Sequence, residues 1–310
     1  MTQESKDCYH GITLPGAEVE TLKALEHALQ AGDALAPQQH LPLLTKEQLV
    51  SNIHKAGFIA HNGSVIALTA RYCNLEKLPA SLGSLTSLHH LDLTGNQLNE
   101  LPGSIGELKQ LQKIYLDYNQ LTILPESFSL LTQLETLQLD GNRLTALPEA
   151  LGELKALQAL NLHDNALTSL PDSIGRLTHL SELSLSRNKL TSLPESLWQL
   201  TGLQVLNLGE NHLANISEEI GKLRHLKMLD LGHNDLTELP ESLGKLVELS
   251  DFLYLSNNRL TALPESLGNL VKLRYLNVTD NHLTSLPESL GDMAELIELR
   301  AYNNRLISLP

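Results

Sequence analysis

The chain has 310 residues, a formal net charge of −14 and 42% hydrophobic side chains, and 74 residues are Leu against 10 Phe and Tyr together. So acidic a chain repels a nucleic-acid duplex unless a local basic stripe overrides the total, so no nucleic-acid partner is expected. No apolar run approaches the ~20 residues needed to span a bilayer, and the polar start MTQESKDCYH lacks a secretory core, so no membrane role and a cytoplasmic location are expected.

In chain order, residues 1–16 are predicted to be a mobile tail and 17–64 an N-terminal cap. VETLKALEHAL places Val19, Leu22, Leu25 and Leu29 at helical spacing. Thr45 and Gln48 form a capping-box pattern before a second helix carrying Leu49 and Ile53, which Gly57 would end. FIAHNGSVIAL reads as a β-hairpin with its turn at Asn62-Gly63. Two cysteines, Cys8 and Cys73, are too few for a disulfide framework or a thiolate zinc site, which suits a reducing compartment.

From residue 65 to 310 the chain repeats itself. LHHLDLTGNQLNELP recurs as LQKIYLDYNQLTILP, LETLQLDGNRLTALP and LQALNLHDNALTSLP. The Asn of LxLxxN falls at 96, 119, 142, 165, 188, 211 and 234, each 23 after the last, then at 258, 281 and 304. The single 24-residue step carries an insertion within Ser250 to Phe252. Counting back from Asn96 gives Cys73, a first divergent copy and the eleventh in all. Cys73 is therefore expected to be a buried structural thiol.

These copies resemble the leucine-rich repeat family, and the LPxSLGxLxxL second half is similar to its intracellular Ras-group and microbial subclass. The cap resembles flanks of some microbial, including archaeal, members. The residues agree with that resemblance. In xLxLx, Leu91 and Leu93 share one face of a short strand while His90, Asp92 and Thr94 share the other. Asn can satisfy the buried backbone of the following turn, and Pro of LPES suits the start of a short helical or 3₁₀ segment. A copy cannot bury its apolar face alone, so the copies must stack. The fold class is α/β: a leucine-rich repeat solenoid, a horseshoe or arc with a parallel concave sheet of about eleven strands on the order of 50 Å long.

Function on such a scaffold belongs to positions six, four, two and one before the Asn and one after it. All six tyrosines of the repeats, Tyr72, Tyr115, Tyr118, Tyr254, Tyr275 and Tyr302, fall there with Phe252. Amphipathic rings on a solvent-facing sheet suit interface anchors. Tyr72, Tyr115 and Tyr118 form an N-terminal group. Phe252, Tyr254, Tyr275 and Tyr302, with Arg300, surround the insertion, and Tyr254, Tyr275 and Tyr302 are expected to form one patch. Acids and bases on this face nearly balance, because eight carboxylates sit instead in the outer segments, from Glu126 to Glu288, where a first helical turn favours them.

No catalytic or cofactor motif appears. Asp117, Asp140 and His163 share a column on which a divalent metal, and with it a metal-dependent enzyme, is geometrically conceivable, but such residues on an open sheet without an enclosing loop more often carry solvated charge, so no metal or cofactor is expected. Asp164, Arg187, Glu210 and His233 form a column suited to ion pairs. Trp198 replaces the Gly of SLGxL and is expected on the outer or lateral surface, as a small contact or partly buried beside Leu197 and Leu200.

The expected function is a non-enzymatic protein-interaction module or scaffold whose concave face takes a protein or peptide. The family resemblance implies signalling, with a small GTPase or another signalling protein as partner. The alternative is the recognition domain of a longer enzyme, a kinase, GTPase or ubiquitin ligase. Leu296, Leu299, Leu306 and Leu309 would line an uncapped edge, expected to mark a boundary or to pack on another chain, in the simplest case as a homodimer.

Overall fold

The computed structural model describes residues 6–37, 39–50 and 55–309. They form two compact units, one reaching Leu144 and including Glu153–Leu157, the other made of Thr145–Gly152 and Gln158 onward.

The first unit begins with a hairpin. Strands β1 (Lys6–Tyr9) and β2 (Ile12–Pro15) pair antiparallel around a turn in which His10 and Gly11 are both left-handed. Within the expected mobile tail, residues 6–15 are thus paired strands, and residues 1–5 lie outside the described residues. Tyr9 and Leu14 are buried, and the Tyr9 hydroxyl donates to Glu26, so hidden apolar area and a paired phenol hold the segment. Helix α1 (Gly16–Ala31) follows, with Val19, Leu22, Leu25 and Leu29 all buried as their spacing requires. Its first-turn Glu18 accepts the Val65 backbone N–H at 2.8 Å, and Thr21 donates to the Ser81 carbonyl at 2.9 Å. The cap thus grips the first repeat with hydrogen bonds as well as leucines.

The capping box forms: Gln48 N–H donates to Thr45 Oγ1 at 3.2 Å and Thr45 N–H to Gln48 Oε1 at 2.9 Å, opening α2 (Lys46–Val50). Leu49 is partly buried against Leu44, Ile59 and Ala67. Ile53 lies outside the described residues. Gly57 does not end a helix. It lies within β3 (Ala56–His61), where a Cβ would stand 2.5 Å from the Leu44 side chain, so the close approach of Leu44 selects glycine. Strand β3 pairs antiparallel with β4 (Ser64–Ala70) around Asn62-Gly63, both at positive φ.

From β4 onward the strands are parallel. The first unit adds β5 (His90–Asp92), β6 (Lys113–Tyr115) and β7 (Thr136–Gln138). The second holds β8 (Ala159–Asn161), β9 (Glu182–Ser184), β10 (Val205–Asn207), β11 (Met228–Asp230), β12 (Phe252–Tyr254), β13 (Tyr275–Asn277) and β14 (Glu298–Arg300). Four plus seven gives the eleven parallel strands expected of eleven copies. Alternation behaves as read: in β8 and the residues after it Leu160 and Leu162 are buried, while Ala159, Asn161 and His163 are half-buried on the open face.

Each repeat Asn works in two directions. Asn211 Oδ1 accepts Leu190 N–H of the preceding copy at 3.0 Å, and its Nδ2 donates to Leu185 and Leu208 carbonyls, each at 3.0 Å. One side chain thereby satisfies three backbone groups that would otherwise be buried unpaired. The residue before it is left-handed in all eleven copies, from Tyr72 at φ 52° to Asn303 at φ 54°. At Cys73, fully buried, the thiol cannot bridge as Asn does. It lies 3.1 Å from the Arg71 carbonyl, and burial pushes its pKa up to about 11, an inert structural thiol.

The outer segments are 3₁₀, from Ala80–Ser84 to Glu288–Asp292. Pro sits one place before the first turn in every one of these segments except Glu218–Lys222, where Ser217 takes its place, and its carbonyl accepts, as in Leu82 N–H to Pro79 O at 3.0 Å. The outer acids do more than favour a dipole: Glu218 accepts Ser242 N–H of the next copy at 3.0 Å and Glu149 accepts Ser173 N–H at 3.2 Å.

Trp198 corrects the surface expectation, being only 1% exposed. In ordinary copies the glycine at this place faces the next copy's Ser: a Cβ on Gly175 would lie 2.3 Å from Ser196 O. The same 21-residue step from Trp198 reaches Glu219, in a copy that also replaces Pro by Ser217. The copy facing the indole thus lacks the Ser that crowds the glycine at Gly175 and its equivalents.

Candidate functional site

The two aromatic groups lie one in each unit and are built differently. In the first unit no ring contact joins Tyr72, Tyr115 and Tyr118 among the described residues. Tyr72 and Tyr118 are 56% and 59% exposed, yet each leans on the glycine of the copy that follows. A Cβ on Gly95 would stand 2.2 Å from Tyr72 Cδ1, and one on Gly141 2.6 Å from Tyr118 Cδ1. These glycines share the left-handed position with the tyrosines, so each ring fills the space that a missing side chain leaves. Tyr115 instead lies 5.3 Å from the His90 ring.

Beneath Tyr115 is a polar cluster. Arg71 and Asp92 pair at 2.7 Å with side chains 11% and 10% exposed, and Arg71 also donates to the Leu49 carbonyl at 2.8 Å. Burial pushes the Asp117 carboxyl up to about 6, although Asp117 Oδ1 accepts Asp140 N–H at 2.9 Å. Burial likewise lowers the His90 pKa and raises that of Tyr115. Asp117 thus serves the backbone of the next copy, and His163 meets Ser186 Oγ at 2.7 Å. In the ion-pair column Arg187 Nε lies 2.9 Å from both Glu210 oxygens. Both side chains are about half exposed, a setting in which such pairs contribute little.

In the second unit the rings meet one another. Phe252 stacks on Tyr254 at 5.7 Å with planes 17° apart, and Tyr275 touches Phe252 at 5.6 Å and Tyr254 at 5.4 Å. Arg300 lies over the Tyr275 ring, 5.4 Å from its centroid, and its Nε donates to Glu298 at 2.6 Å. Register explains the meeting, since Phe252 pairs with Tyr275 and Asn277 with Arg300 on neighbouring strands. Tyr302, 60% exposed, joins no ring contact among the described residues. The expected patch of Tyr254, Tyr275 and Tyr302 is therefore corrected to Phe252, Tyr254, Tyr275 and Arg300. Tyr302 sits four places further along its strand than Tyr275 does on its own, beyond ring reach.

The insertion is a bulge. Where Gln204 and Val205 N–H donate together to Ser181 O in an ordinary copy, here Ser250 and Asp251, one place earlier relative to their Asn, donate to Lys227 O at 3.3 and 2.9 Å, and the next copy's Arg274 donates to Ser250 O. Asp251 is left unpaired on that side and Phe252 is pushed out to 43% exposure. Beside the rings lies a cleft of about 410 Å³ lined by Asp251, Phe252, Arg274, Tyr275, Ile297 and Glu298. Asp251, Arg274 and Ile297 stand seven places before their Asn, just outside the five positions read from the sequence. The only signal was the bulge itself, which brings that column to the rim. Beyond it, Ile297, Leu299, Ile307 and Leu309 are 71%, 38%, 90% and 74% exposed.

The model of the leucine rich repeat matches residues 68–121, 86–144, 155–213 and 201–260, and a model of two leucine rich repeats matches 251–291. The chain belongs to the leucine-rich repeat family. A leucine-rich repeat protein of Leptospira interrogans is 34% identical with a TM-score of 0.56, over 76% of this chain and 72% of that one. A plant peptide hormone receptor in complex with RGF2 is 29% identical with a TM-score of 0.60, over 75% of this chain and 42% of its own. A TDR receptor is 29% identical with a TM-score of 0.73, over 90% and 48%. The chain thus spans less than half of either receptor's length. No curated protein matches the chain, and none of the described helices is long and apolar enough to cross a membrane.

Proposed function

We propose that the protein is a non-enzymatic binding module that holds a protein or peptide ligand on the open face of its sheet, with Phe252, Tyr254, Tyr275 and Arg300 as anchors. The ring cluster beside the cleft carries this reading. Aromatic and Arg side chains are enriched among residues that dominate binding energy, and 410 Å³ suits an inserted side chain or a short peptide segment, not a whole cofactor. Asp251, Glu298 and Arg274 line the cleft, so a ligand with polar groups of either sign finds a partner. Tyr302, Tyr72, Tyr115 and Tyr118 extend the face without forming the anchor. The plant receptor solved with RGF2 supports the same use of the fold. Two unpaired cysteines, Cys8 exposed and Cys73 buried, suit work in the cytoplasm as a signalling scaffold. A small GTPase, or a second copy at the exposed leucine edge, are the protein partners that fit this reading.

Displayed random peptides selected against the whole chain test it. Selected peptides should lose at least tenfold in affinity on Phe252→Ala with Tyr275→Ala and keep it on Tyr72→Ala with Tyr118→Ala. Peptides indifferent to the first pair would refute the site.

A further inference from the structure

The cap carries a second cluster, remote from the open face. His10 in the β1–β2 turn, Glu26 on α1 and His40 in the segment after α1 each offer one ligand atom, and these atoms lie within 4.8 Å of one another. His40 Nδ1 is 3.2 Å and His10 Nε2 4.0 Å from the same oxygen, Glu26 Oε1, and the two imidazole rings lie 4.0 Å apart. Glu26 is only 7% exposed, while the His10 and His40 side chains are 35% and 59% exposed. We propose that this His10–Glu26–His40 cluster is a binding site for a first-row divalent cation of the zinc type.

Hydrogen bonding alone does not account for the arrangement. Glu26 Oε1 already accepts the Tyr9 hydroxyl and the Leu41 N–H, the latter at 2.8 Å, and one carboxylate oxygen offers about two lone-pair sites. With both sites taken, the two imidazoles beside that oxygen find no free lone pair there, and a cation would bind in place of one of these donors or through the other carboxylate oxygen, Glu26 Oε2. The same two donors do what outer partners of a metal carboxylate do, fixing its orientation. Tyr9 is itself set in the core, its ring 5.7 Å from that of buried Phe58.

Two nitrogens and one carboxylate suit zinc, with metal–ligand bonds of about 2.0–2.2 Å and hence ligand atoms about 3.3 Å apart in a tetrahedron. His40 and Glu26 already meet that spacing, and His10 must close by less than an ångström. The solvent side of the two imidazoles leaves the fourth position to water. Each ring must present a lone pair to the cation from the nitrogen nearest the carboxylate, so any hydrogen carried on that nitrogen must leave it. A neutral ring does so by moving that hydrogen to its other nitrogen, and a charged ring by releasing a proton to solvent. The cation would join three segments far apart in sequence, the hairpin turn, α1 and the chain after it, and so clamp the cap.

Calorimetric titration of the chelator-treated full chain with zinc chloride, and cobalt(II) absorption in parallel, test this. One equivalent should bind, with tetrahedral cobalt bands and a zinc-dependent rise in melting temperature. His40→Ala and His10→Ala should each weaken binding at least tenfold and abolish that rise, whereas His212→Ala, on the repeats, should change neither. Should the turn variant at His10 fail to fold, His40→Ala decides alone, because its ring is largely exposed. Zinc binding unchanged in His40→Ala, binding lost equally in His212→Ala, or no binding at micromolar zinc would overturn the proposal.

Discussion

The two aromatic groups use the same residue types on the same face for different ends. Tyr72 and Tyr118 occupy left-handed positions, and each covers a glycine one copy on, Gly95 and Gly141. Phe252, Tyr254 and Tyr275 rest on one another around a bulge, with a cleft at their edge. Exposure alone does not separate them, since Tyr72 at 56% is more exposed than Phe252 at 43%. What a ring rests on does: a ring seated on backbone completes the fold's surface, and a ring seated on rings beside a cleft is available to a partner.

The largest effect should come from an aromatic residue outside both groups, Trp198. Trp198→Ala leaves a cavity within the second unit and should destabilise the protein by ~3–5 kcal/mol, read by denaturant unfolding. A loss below 1 kcal/mol would place the indole back on the surface. Next, changing Phe252, Tyr254 and Tyr275 together to Ala should weaken a bound ligand by more than about 2 kcal/mol while the melting temperature of the chain is nearly kept. Equal weakening by Tyr72→Ala with Tyr118→Ala would erase the contrast between the groups.

A double-mutant cycle sharpens it further. Gly95→Ala forces a Cβ into the Tyr72 ring and should cost ~1–2 kcal/mol, counting the left-handed backbone. In a Tyr72→Ala background the cost should fall by ~0.5 kcal/mol or more, because the ring is gone. Additivity would mean that the ring does not rest there. The smallest effect concerns Asp117, whose folded pKa of about 6 exceeds its ordinary 3.8. The folded state then holds a proton that the unfolded state has lost between those values, so stability falls as pH rises through that window and stays lower above it. Asp117→Asn keeps an oxygen for the Asp140 N–H and should be more stable than the parent at pH 7 by about 1 kcal/mol, with the gain vanishing below pH ~3.8. Thermal melts at both pH values check the sign.

The sequence by itself determined everything that periodicity controls. Leu91, Leu93 and their equivalents are inside because alternation leaves a short strand no other way to hide them, and each Asn bridges copies because its amide matches the backbone groups of a turn. Even Cys73 and the hairpin at Asn62-Gly63 followed from phase and turn chemistry. The tertiary structure alone decided what depends on neighbours from other parts of the chain. Trp198 is buried and faces a copy that lacks the usual Ser and Pro, Gly57 serves Leu44 and not a helix end, and residues 6–15 form a hairpin that Tyr9 ties to Glu26. Within the aromatic group at the bulge, lateral register set Tyr275 beside Phe252 and left Tyr302 apart. His10, Glu26 and His40 carry no motif at all. Their side chains converge only because a turn, a helix and the segment after it fold onto one buried carboxylate, and spacing along the chain does not encode such a meeting.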